Sequence, residues 1–509
     1  MNHDLIKAGF AKAKLTPDRD VYLGGYADID NEINLCRYPQ DILGDVYVRV
    51  AVLEQNELRA VFVCLDACVV IEGENIREGV RRDLAQAADT IPERVFLVNT
   101  HNHQSLKYFE EPEIDIMLHA VKDAVDHQKE CFVLKREFPC DIGVNRRPRY
   151  CIAPELPYDN RMVVLSFCEA DSHKVHGVLL NYPIHNTALG NGNISNWHYM
   201  TSELMGFATE QIDCFLDQNH PGAVTVFMDG FYGASGPQID GKYSAEHEVI
   251  RQTGFALGQN IADYIGAGTP IDLSGHNSLI KECQYGVNPV YGENATEGIV
   301  FAGIKFGDLA FFGANCEPYS EIGSALRAYG PFDTLLPLAN VNGFVGYIPT
   351  AEAFHCGREE LECKLNKTPF TDQTHLQFLN DSLACLYELA DRKQECVYEA
   401  TLVSVKADSE KAVYEYTFSP SEAFNQLVLD FGWLSRENCP YDFQVTIPDE
   451  NGTQQEFSFP HNSVNFLKIN LPENIYTRLE ITVLSVYRAG RPVDRLDIAA
   501  KGMKIASLT

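Results

Sequence analysis

The sequence is poor in basic residues and lacks any hydrophobic segment long enough to cross a membrane. Its 41 lysines and arginines are outnumbered by 71 aspartates and glutamates, which gives a formal net charge of −30. So negative a surface repels phosphate backbones and anionic lipid headgroups, so we expect no nucleic acid and no membrane as partners. The longest apolar run, residues 60–71, is short and contains Asp66. A small-molecule substrate remains, and oligomeric state is left open.

Export and nucleotide-binding signals are also missing. The N-terminal residues lack the apolar core of a signal peptide. The 15 cysteines form no C-x-x-C pair, which is typical of reduced, mostly buried thiols. There is no P-loop, no G-x-G-x-x-G, no H-E-x-x-H and no G-x-S-x-G. We therefore predict a cytoplasmic protein without those common nucleotide-binding, metalloprotease or serine-hydrolase motifs.

The first three quarters of the chain alternates apolar runs with amphipathic stretches. Continuous runs of Val, Leu, Ile and Phe predict strands covered on both faces, at 46–54, 59–66, 94–101, 176–185, 223–230 and 309–317. Apolar residues at helical spacing predict helices near 72–88, 113–130, 199–217, 244–265 and 372–392. Residues 1–395 are thus expected to form a large α/β domain with a mixed sheet.

The pattern of apolar and polar residues changes after about residue 396. Segments that alternate apolar and polar residues are separated by turn signals, among them the hairpin candidate DENG at 449–452. Residues 396–509 are therefore predicted to form a smaller, all-β sandwich domain.

Polar side chains that can bind a metal or transfer a proton follow several of the predicted strands. They are Asp66, His101 and His103, His185, Asp229 and Glu317. Because the carboxyl ends of strands form the binding crevice of open α/β sheets, their recurrence there indicates a site. Taken singly, each histidine is more typical of a hydrogen-bonded core or loop residue, and Asp66 of a structural acceptor.

The H-x-H pair predicts a metal site. In an extended segment His101 and His103 point to the same side, so that both face one metal, or one binds it while the other moves protons. Catalytic zinc commonly takes three protein ligands from histidine and carboxylate groups. His101, His185 and Glu317 supply such a set.

Between about residues 8 and 365 the chain contains, in this order, AGFAKAKLTPD with LGGY, NTHNHQS, GVNRRP, NYPIHNTAL, SELMGFA, GANCEPYSEIG and GFVGYIPTAEAF. Together these segments resemble motifs of the neutral, non-lysosomal ceramidase family. AGFAKAKLTPD followed by LGGY resembles the family's opening segment, NTHNHQS its T-H-T-H-S-G motif, and GVNRRP its G-x-N-R-S-P. Further on, NYPIHNTAL, SELMGFA, GANCEPYSEIG and GFVGYIPTAEAF match later motifs in the same order. Each motif is short, and their shared order over some 350 residues carries the resemblance.

The resemblance implies a Zn²⁺ ion held by His101, His185, Glu317 and Tyr347. His103 is then the non-ligating histidine beside the bound water, and Arg146 contacts the oxyanion or acyl carbonyl of the substrate. Zinc would lower the pKa of its water toward ~7 and polarise the scissile carbonyl. His103 would pass the proton to the leaving amine.

The sequence also departs from the family pattern. The family's G-D-x-S-P-N serine has been assigned an amidase role, whereas this chain reads GASGPQ at 233–238, with glycine at the serine position and Ser235 one residue early. A one-residue shift turns a side chain to the other face of an extended segment, so Ser235 is a doubtful nucleophile. A later family tyrosine falls near Glu359. A smaller, soluble substrate is therefore expected instead of ceramide.

These observations lead to a zinc-dependent hydrolase that cleaves an amide of a soluble N-acyl compound, such as an acylated amino sugar or amino acid. The expected pocket is closed and rimmed by Asn145, Arg146, Asn191 and Asn193. Ester or lactone hydrolysis stays open, because the same chemistry attacks any activated carbonyl. So does glycoside hydrolysis by Glu317 with Asp229 or Glu203. A ceramidase-like binding protein without activity is the alternative from another class.

Overall fold

The computed structural model describes most of the chain in separate ranges. These are residues 5–25, 39, 41–68, 71, 73–146, 158–189, 198–239, 242, 245–287, 295–351, 353, 370–393, 397–407, 411–417, 423–433, 440–448, 452–488, 491–493 and 504–508. Within them the helices are α1 (Glu74–Ala87), α2 (Glu111–Asp126), α3 (Glu203–Asn219), α4 (His247–Ala262), α5 (Ser320–Tyr329) and α6 (Thr374–Ala390). None of the described helices combines the length and hydropathy needed to cross a bilayer.

The strands up to residue 348 build several sheets. They are β1 (Ile6–Lys14), β2 (Asp41–Ile42), β3 (Tyr47–Gln55), β4 (Leu58–Leu65), β5 (Val95–Asn99), β6 (Lys129–Pro139), β7 (Gly143–Asn145), β8 (Arg161–Glu169), β9 (Val175–Tyr182), β10 (Tyr199–Met200), β11 (Val224–Asp229), β12 (Ser235–Pro237), β13 (Thr269–Pro270), β14 (His276–Gly286), β15 (Thr296–Phe306), β16 (Leu309–Ala314), β17 (Glu317–Pro318), β18 (Thr334–Leu338) and β19 (Tyr347–Ile348).

The central sheet is mixed. Its strand order is β11-β9-β8-β6-β1-β3-β4-β5, with β13 added beside β6. Only the outer pairs β11–β9 and β4–β5 are parallel, and every neighbour between them is antiparallel. A second sheet, β14-β15-β16-β18, stacks on the first, where Phe62 of β4 meets Phe311 of β16 with ring centroids 4.6 Å apart. The mixed sheet and its helices confirm the predicted α/β class.

The central sheet curves strongly. Five antiparallel pairings lie between β9 and β4. The strands of the parallel pair β11–β9 therefore run opposite to those of the parallel pair β4–β5. A twist of roughly 20–25° per strand accumulates to on the order of 100° over those pairings. As a result β11 packs against β3, β4 and β5 at the far end of the sheet, and Arg49 of β3 donates to the carbonyl of Thr225 in β11 (2.8 Å).

The strands after residue 397 form two further sheets. They are β20 (Val397–Glu399), β21 (Thr401–Ala407), β22 (Ala412–Thr417), β23 (Phe424–Asp430), β24 (Pro440–Pro448), β25 (Gln454–Phe459), β26 (Phe466–Asn474), β27 (Arg478–Arg488), β28 (Arg491–Val493) and β29 (Lys504–Leu508). The orders are β20-β29-β23-β26 and β21-β22-β27-β24-β25, and side chains of both sheets share one core.

This C-terminal part is all-β, as predicted. β24 and β25 pair as the expected hairpin, with Gly452 at φ +81° and residues 449–451 outside the described residues. The predicted boundary at 395/396 also lies outside them, so the two-domain division stays a prediction. Lys468 of β26 donates to the carbonyls of Gly330 (2.6 Å) and Phe332 (3.1 Å), which follow α5, and so ties this part to the helical layer.

The predicted cysteine state can be compared with the described thiols. No disulfide joins any cysteine among the described residues, and most of those cysteines are buried. Burial raises the pKa of Cys131 to about 12, which keeps that thiol protonated and unreactive.

A buried ion pair fixes α3 against the curved sheet. Asp213 of α3 accepts from Arg49 (2.8 Å), Lys12 (2.9 Å) and the backbone N–H of Thr225 (3.1 Å). Burial raises the pKa of Asp213, but the charges of Arg49 and Lys12 outweigh it, so the net pKa is lowered. The carboxylate therefore stabilises the fold above its unfolded pKa, near 3.9.

Replacing Asp213 with alanine is expected to destabilise the protein by about 3–5 kcal/mol, because Arg49 is left as an uncompensated buried charge. In the unaltered protein the contribution of Asp213 is lost as pH falls below about 4 and through the lowered folded pKa. Urea unfolding of both proteins at pH 7 and pH 3 measures this. A D213A protein equal to the unaltered one at pH 7 would contradict the anchoring role.

Candidate metal centre

His101 lies two residues beyond β5 in an unusual backbone conformation. All five residues of β5 are buried, and the chain leaves the sheet after Asn99. His101 has φ +50°, a left-handed conformation that costs energy in a residue with a side chain. The side chain of Asn99 accepts from the His101 N–H (3.0 Å), and the Asn102 N–H donates to Ala67 (3.1 Å). These bonds hold the imidazole toward the interior, where only 2% of the residue is exposed.

His103 reaches the same place by a route that differs from the prediction. Because His101 is left-handed, the segment is not extended, yet the Nε2 atoms of His101 and His103 are 3.0 Å apart. The loop at Gly25 packs directly against the ring, since a Cβ at Gly25 would lie 2.3 Å from His103 Cγ. Gly25 has φ +90°, so glycine is required there on both grounds.

His185 follows β9 and is oriented by the loop after β11. Its Nδ1 lies 3.0 Å from the carbonyl of Tyr232 and 2.9 Å from that of Ser235, so Nδ1 carries the proton and donates. Burial lowers the pKa of His185 far below its usual value, and nearby Arg146, His101 and His103 lower it further. The ring is therefore neutral, and the Nε2 lone pair points toward the cluster, as in metal-ligating histidines.

Glu317 and Tyr347 are brought together by a short parallel pair of strands. Glu317 was predicted to end the strand that begins at residue 309. Instead, β16 stops at Ala314, and Glu317 begins the separate strand β17. β17 pairs with β19 in the register Glu317 with Tyr347, and the Glu317 N–H donates to Gly346 (2.9 Å). Register partners point to the same face of a sheet. The carboxylate and the phenol therefore face the histidines together.

Donor atoms of four separate segments converge at this point. His185 Nε2 is 3.2 Å from Tyr347 Oη and 3.6 Å from Glu317 Oε2, and His101 Nδ1 is 3.5 Å from Glu317 Oε1. Zinc bonds of about 2.0–2.2 Å in a tetrahedral site put neighbouring ligand atoms about 3.3–3.6 Å apart. Two imidazoles, a carboxylate and a phenol thus have the chemistry and the spacing to hold a divalent cation.

Two further residues stabilise the cluster and were missed from the sequence. Tyr232 Oη lies 2.8 Å from His101 Nδ1, and Asn340 donates to both Tyr232 Oη (2.6 Å) and Glu317 Oε1 (3.1 Å). Burial raises the pKa of Tyr232 well above its usual value, and Glu317 raises it further, so the phenol stays protonated. Tyr232 follows the predicted strand end at Asp229 by three residues, which is the signal that could have identified it.

Cys68 offers a second possible grouping. Ligand atoms of Cys68, His101 and His103 lie within 4.8 Å of one another, as do those of His101, His185 and Glu317. His101 belongs to both groups, so a single cation bound by His101 would be held by one group or the other. The group of His101, His185 and Glu317 contains a carboxylate and is completed by Tyr347, which makes it the better candidate.

Arg146, Asn145 and Ser235 lie on the wall behind His185. The Arg146 guanidinium contacts His185 Nε2, and the backbone N–H of Arg146 donates to the backbone carbonyl of Ala234 (2.9 Å). Asn145 of β7 pairs with Ser235 of β12, and both are fully buried. The Ser235 hydroxyl has no hydrogen-bond partner among the described residues, whereas its carbonyl binds His185. Ser235 therefore contacts the cluster through its backbone. Asn191, Asn193 and Glu359 lie outside the described residues.

The remaining predicted acidic residues accept hydrogen bonds from backbone N–H groups. Asp66 accepts from the Tyr47 N–H (2.9 Å), and burial raises its pKa to about 6. Asp229 accepts from the Ile184 N–H (3.1 Å), and burial raises its pKa well above the usual value. Glu203, at φ +60°, accepts from the Leu189 N–H (3.0 Å). Asp229 and Glu203 are both buried, and each anchors a loop beside His185.

A cavity of about 370 Å³ opens beside the cluster. Its described wall includes the site residues His101, His103, Glu317 and Tyr347 together with Gly24, Gly25, Cys68, Ile71, Gly73, Arg77, Leu106, Lys107 and Phe344. Neither Asn145 nor Arg146 belongs to that wall, so the predicted polar rim differs from the described one. A larger cavity, about 430 Å³, lies between β6, β8 and the C-terminal strands, away from the cluster.

Comparison with known proteins places this arrangement in a fold. No model of a known protein family matches the chain, and no curated protein matches its sequence. Among solved structures, neutral ceramidase from Pseudomonas aeruginosa aligns with a TM-score of 0.60 at 15% identity, covering 96% of this chain and 94% of that one. A ceramidase complexed with C2 aligns with a TM-score of 0.57 at 14% identity, covering 99% of both chains. The chain therefore has the neutral ceramidase fold over nearly its whole length, as a distant structural relative.

Proposed function

We propose that this protein is a zinc-dependent hydrolase that cleaves the amide bond of a soluble N-acyl compound. The observation that carries the proposal is the convergence of His101, His185, Glu317 and Tyr347 from four separate segments, at separations of 3.2–3.6 Å where measured. The ceramidase fold supports the choice of an amide, because the solved neighbours are ceramidases.

The donor set favours zinc among common divalent cations. Neutral imidazole nitrogens and a single carboxylate suit zinc, whereas magnesium and calcium prefer all-oxygen sites. The carbonyls of Tyr232 and Ser235 keep His185 in the required tautomer. A zinc ion bound here would lower the pKa of a water molecule and polarise the scissile carbonyl.

His103 and Arg146 are assigned the remaining tasks. His103 lines the cavity and lies against ligand His101, where a titratable imidazole can take a proton from water and return it to the leaving amine. Arg146 contacts ligand His185, and a guanidinium there can donate to the carbonyl oxygen as negative charge develops. Neither role requires the hydroxyl of Ser235.

The cavity supports a small substrate. Its volume of about 370 Å³ is at the low end of the ~300–1,000 Å³ found for small-molecule sites. Ile71, Leu106 and Phe344 provide an apolar part of the wall for an acyl group. Such a space is a poor match for a lipid with two long chains.

Metal analysis combined with a substrate panel tests the proposal. We expect one zinc per chain by mass spectrometry of the purified protein, and hydrolysis of short N-acyl amino acids or amino sugars that chelation abolishes and added zinc restores. Faster cleavage of solubilised ceramide would overturn the soluble-substrate part. Cleavage of esters, lactones or glycosides alone would overturn the amide, and protein without metal or activity would overturn the function.

The Gly25 contact gives a test of His103 that leaves the ligands untouched. Gly25→Ala adds a Cβ 2.3 Å from His103 Cγ at a positive φ, so the ring must move. We expect kcat to fall about 10–100-fold with zinc content unchanged. Gly24→Ala is the matched control, because its Cβ would lie 3.4 Å from its nearest neighbour, an ordinary contact. Equal kcat values for the two variants would argue against a role for His103.

A further inference from the structure

We propose that the cavity selects substrates that carry a carboxylate, with Arg77 and Lys107 as the residues that bind it. This inference rests on the proposed function and narrows its substrate to N-acyl amino acids. Both cations line the same cavity as Glu317 and Tyr347. Glu317 is the acidic residue in the described wall, and its carboxylate belongs to the metal cluster.

Arg77 is a charged group with hydrogen-bonding capacity to spare. It lies in the first turn of α1, half-buried, and its Nη1 donates a long bond to the Ile71 carbonyl (3.4 Å). Its Nε is buried and has no hydrogen-bond partner in the part of the chain that the structure describes. No described carboxylate lies within 4.0 Å of the guanidinium. An arginine remains charged in this setting, so it is suited to bind an anion.

Lys107 supplies the second positive charge of the cavity wall. Its backbone N–H donates to the Tyr22 carbonyl (2.8 Å), which fixes the position of the residue behind the H-x-H segment. Its ammonium lies 5.1 Å from the ring centre of Tyr108, and no described carboxylate lies within 4.0 Å of it. The side chain can therefore turn toward a ligand in the cavity without breaking a described ion pair.

The local charge is opposite to that of the whole molecule. With 71 acidic and 41 basic residues, most of the surface repels anions. In the described cavity wall the balance reverses, because Arg77 and Lys107 are accompanied there by a single carboxylate, that of Glu317. Glu74 and Glu78 lie near Arg77 on α1 but are not part of the described cavity wall. A cationic cavity in an acidic protein indicates an anionic ligand.

An N-acyl amino acid fits both the charge and the dimensions. Three bonds separate its carboxylate carbon from the scissile carbonyl carbon, and a sphere of the cavity volume is about 9 Å across. One molecule can thus place its carboxylate at Arg77 and Lys107 while its amide lies at the metal cluster. Ile71, Leu106 and Phe344 are left for the acyl chain or the amino acid side chain.

The test compares N-acetyl amino acids with their neutral primary carboxamides, which have nearly the same size. For the unaltered protein we expect kcat/KM to favour the acid about 10–100-fold. Arg77→Gln and Lys107→Gln should remove most of that preference through a higher KM for the acid, with a much smaller change in KM for the carboxamide. Arg82→Gln, an exposed arginine of the same helix, is the control and should retain the preference.

The outcomes separate this inference from the proposed function. Equal cleavage of acid and carboxamide by the unaltered protein would overturn the inference and leave the hydrolase intact. So would an equal loss for both substrates in R77Q. If neither is cleaved, hydrolysis of N-acyl amino acids is excluded, and calorimetry of N-acetyl amino acid binding alone decides whether the anion site exists. Binding at least tenfold weaker in R77Q than in R82Q would then uphold the anion site, and equal binding would overturn it.

Discussion

Replacing Glu317 with glutamine is expected to abolish binding of the proposed zinc ion and to lower kcat/KM at least ~10³-fold. Glu317 contributes the carboxylate of the cluster, and a neutral amide cannot balance the charge of a divalent cation among uncharged imidazoles. The side chains are nearly isosteric, so the fold should be retained. Zinc content by mass spectrometry and steady-state kinetics on the same preparation measure both effects.

Two variants serve as controls for this result. Glu203→Gln changes an equally buried carboxylate whose two oxygens lie 3.0 and 3.2 Å from the backbone nitrogen of Leu189, and a glutamine oxygen can still accept that hydrogen bond. Cys68→Ser changes the alternative grouping with His101 and His103. Both should keep the zinc and most of the activity. Loss of zinc in C68S with retention in E317Q would move the metal to the other group, and inactivation by E203Q would favour paired carboxylate chemistry.

His103→Ala is expected to lower kcat by the ~10²–10⁴-fold that a general acid–base group contributes, whereas Ser235→Ala should change kcat less than about threefold. The Nε2 of His103 lies 3.0 Å from that of His101, a proposed metal ligand, and His103 lines the cavity. Ser235 holds His185 through its carbonyl, which alanine retains, and its buried hydroxyl makes no hydrogen bond in the described structure. Removal of that hydroxyl should leave stability unchanged or slightly higher.

Zinc content distinguishes the two variants from ligand loss, since both should retain one zinc per chain. A pH–rate profile adds a second readout, because loss of His103 should remove one limb of the dependence. If S235A proved as inactive as E317Q while keeping its zinc, an acyl-enzyme mechanism would have to replace the one proposed.

The polar residues after apolar strands were predictable from the sequence, but the reason given for their proximity was incomplete. The rule for parallel sheets places carboxyl ends at one edge, whereas β9 and β4 run in opposite directions here. The rings of His101 and His185 meet, with centroids 4.6 Å apart, because the sheet curves. Curvature depends on the twist of the whole sheet, and no local pattern of residues encodes it.

Other elements escaped prediction for physical reasons that the structure makes plain. α5 has only ten residues, fewer than three turns, so it offers too few positions for a helical period to stand out. β14 is largely exposed and has no apolar run. Tyr347 was identified through the family resemblance alone, because the strand that holds it is two residues long and gains its position from pairing with β17. Amphipathic helices such as α1 and α4 were located to within a few residues.

The pairing of Glu317 with Tyr347 has a consequence for when a nascent chain could bind the proposed metal ion. The donor atoms span the chain from His101 to Tyr347, and the last of them is set in place only when β19 joins β17. At ~5–20 residues per second, synthesis takes on the order of 10–50 s to pass from the first donor to the last. During that interval the two histidines can bind metals only in incomplete, weaker sets. Under the proposed function, the full set of donor atoms therefore becomes available late in synthesis, only once residue 347 has been made and β19 can pair with β17.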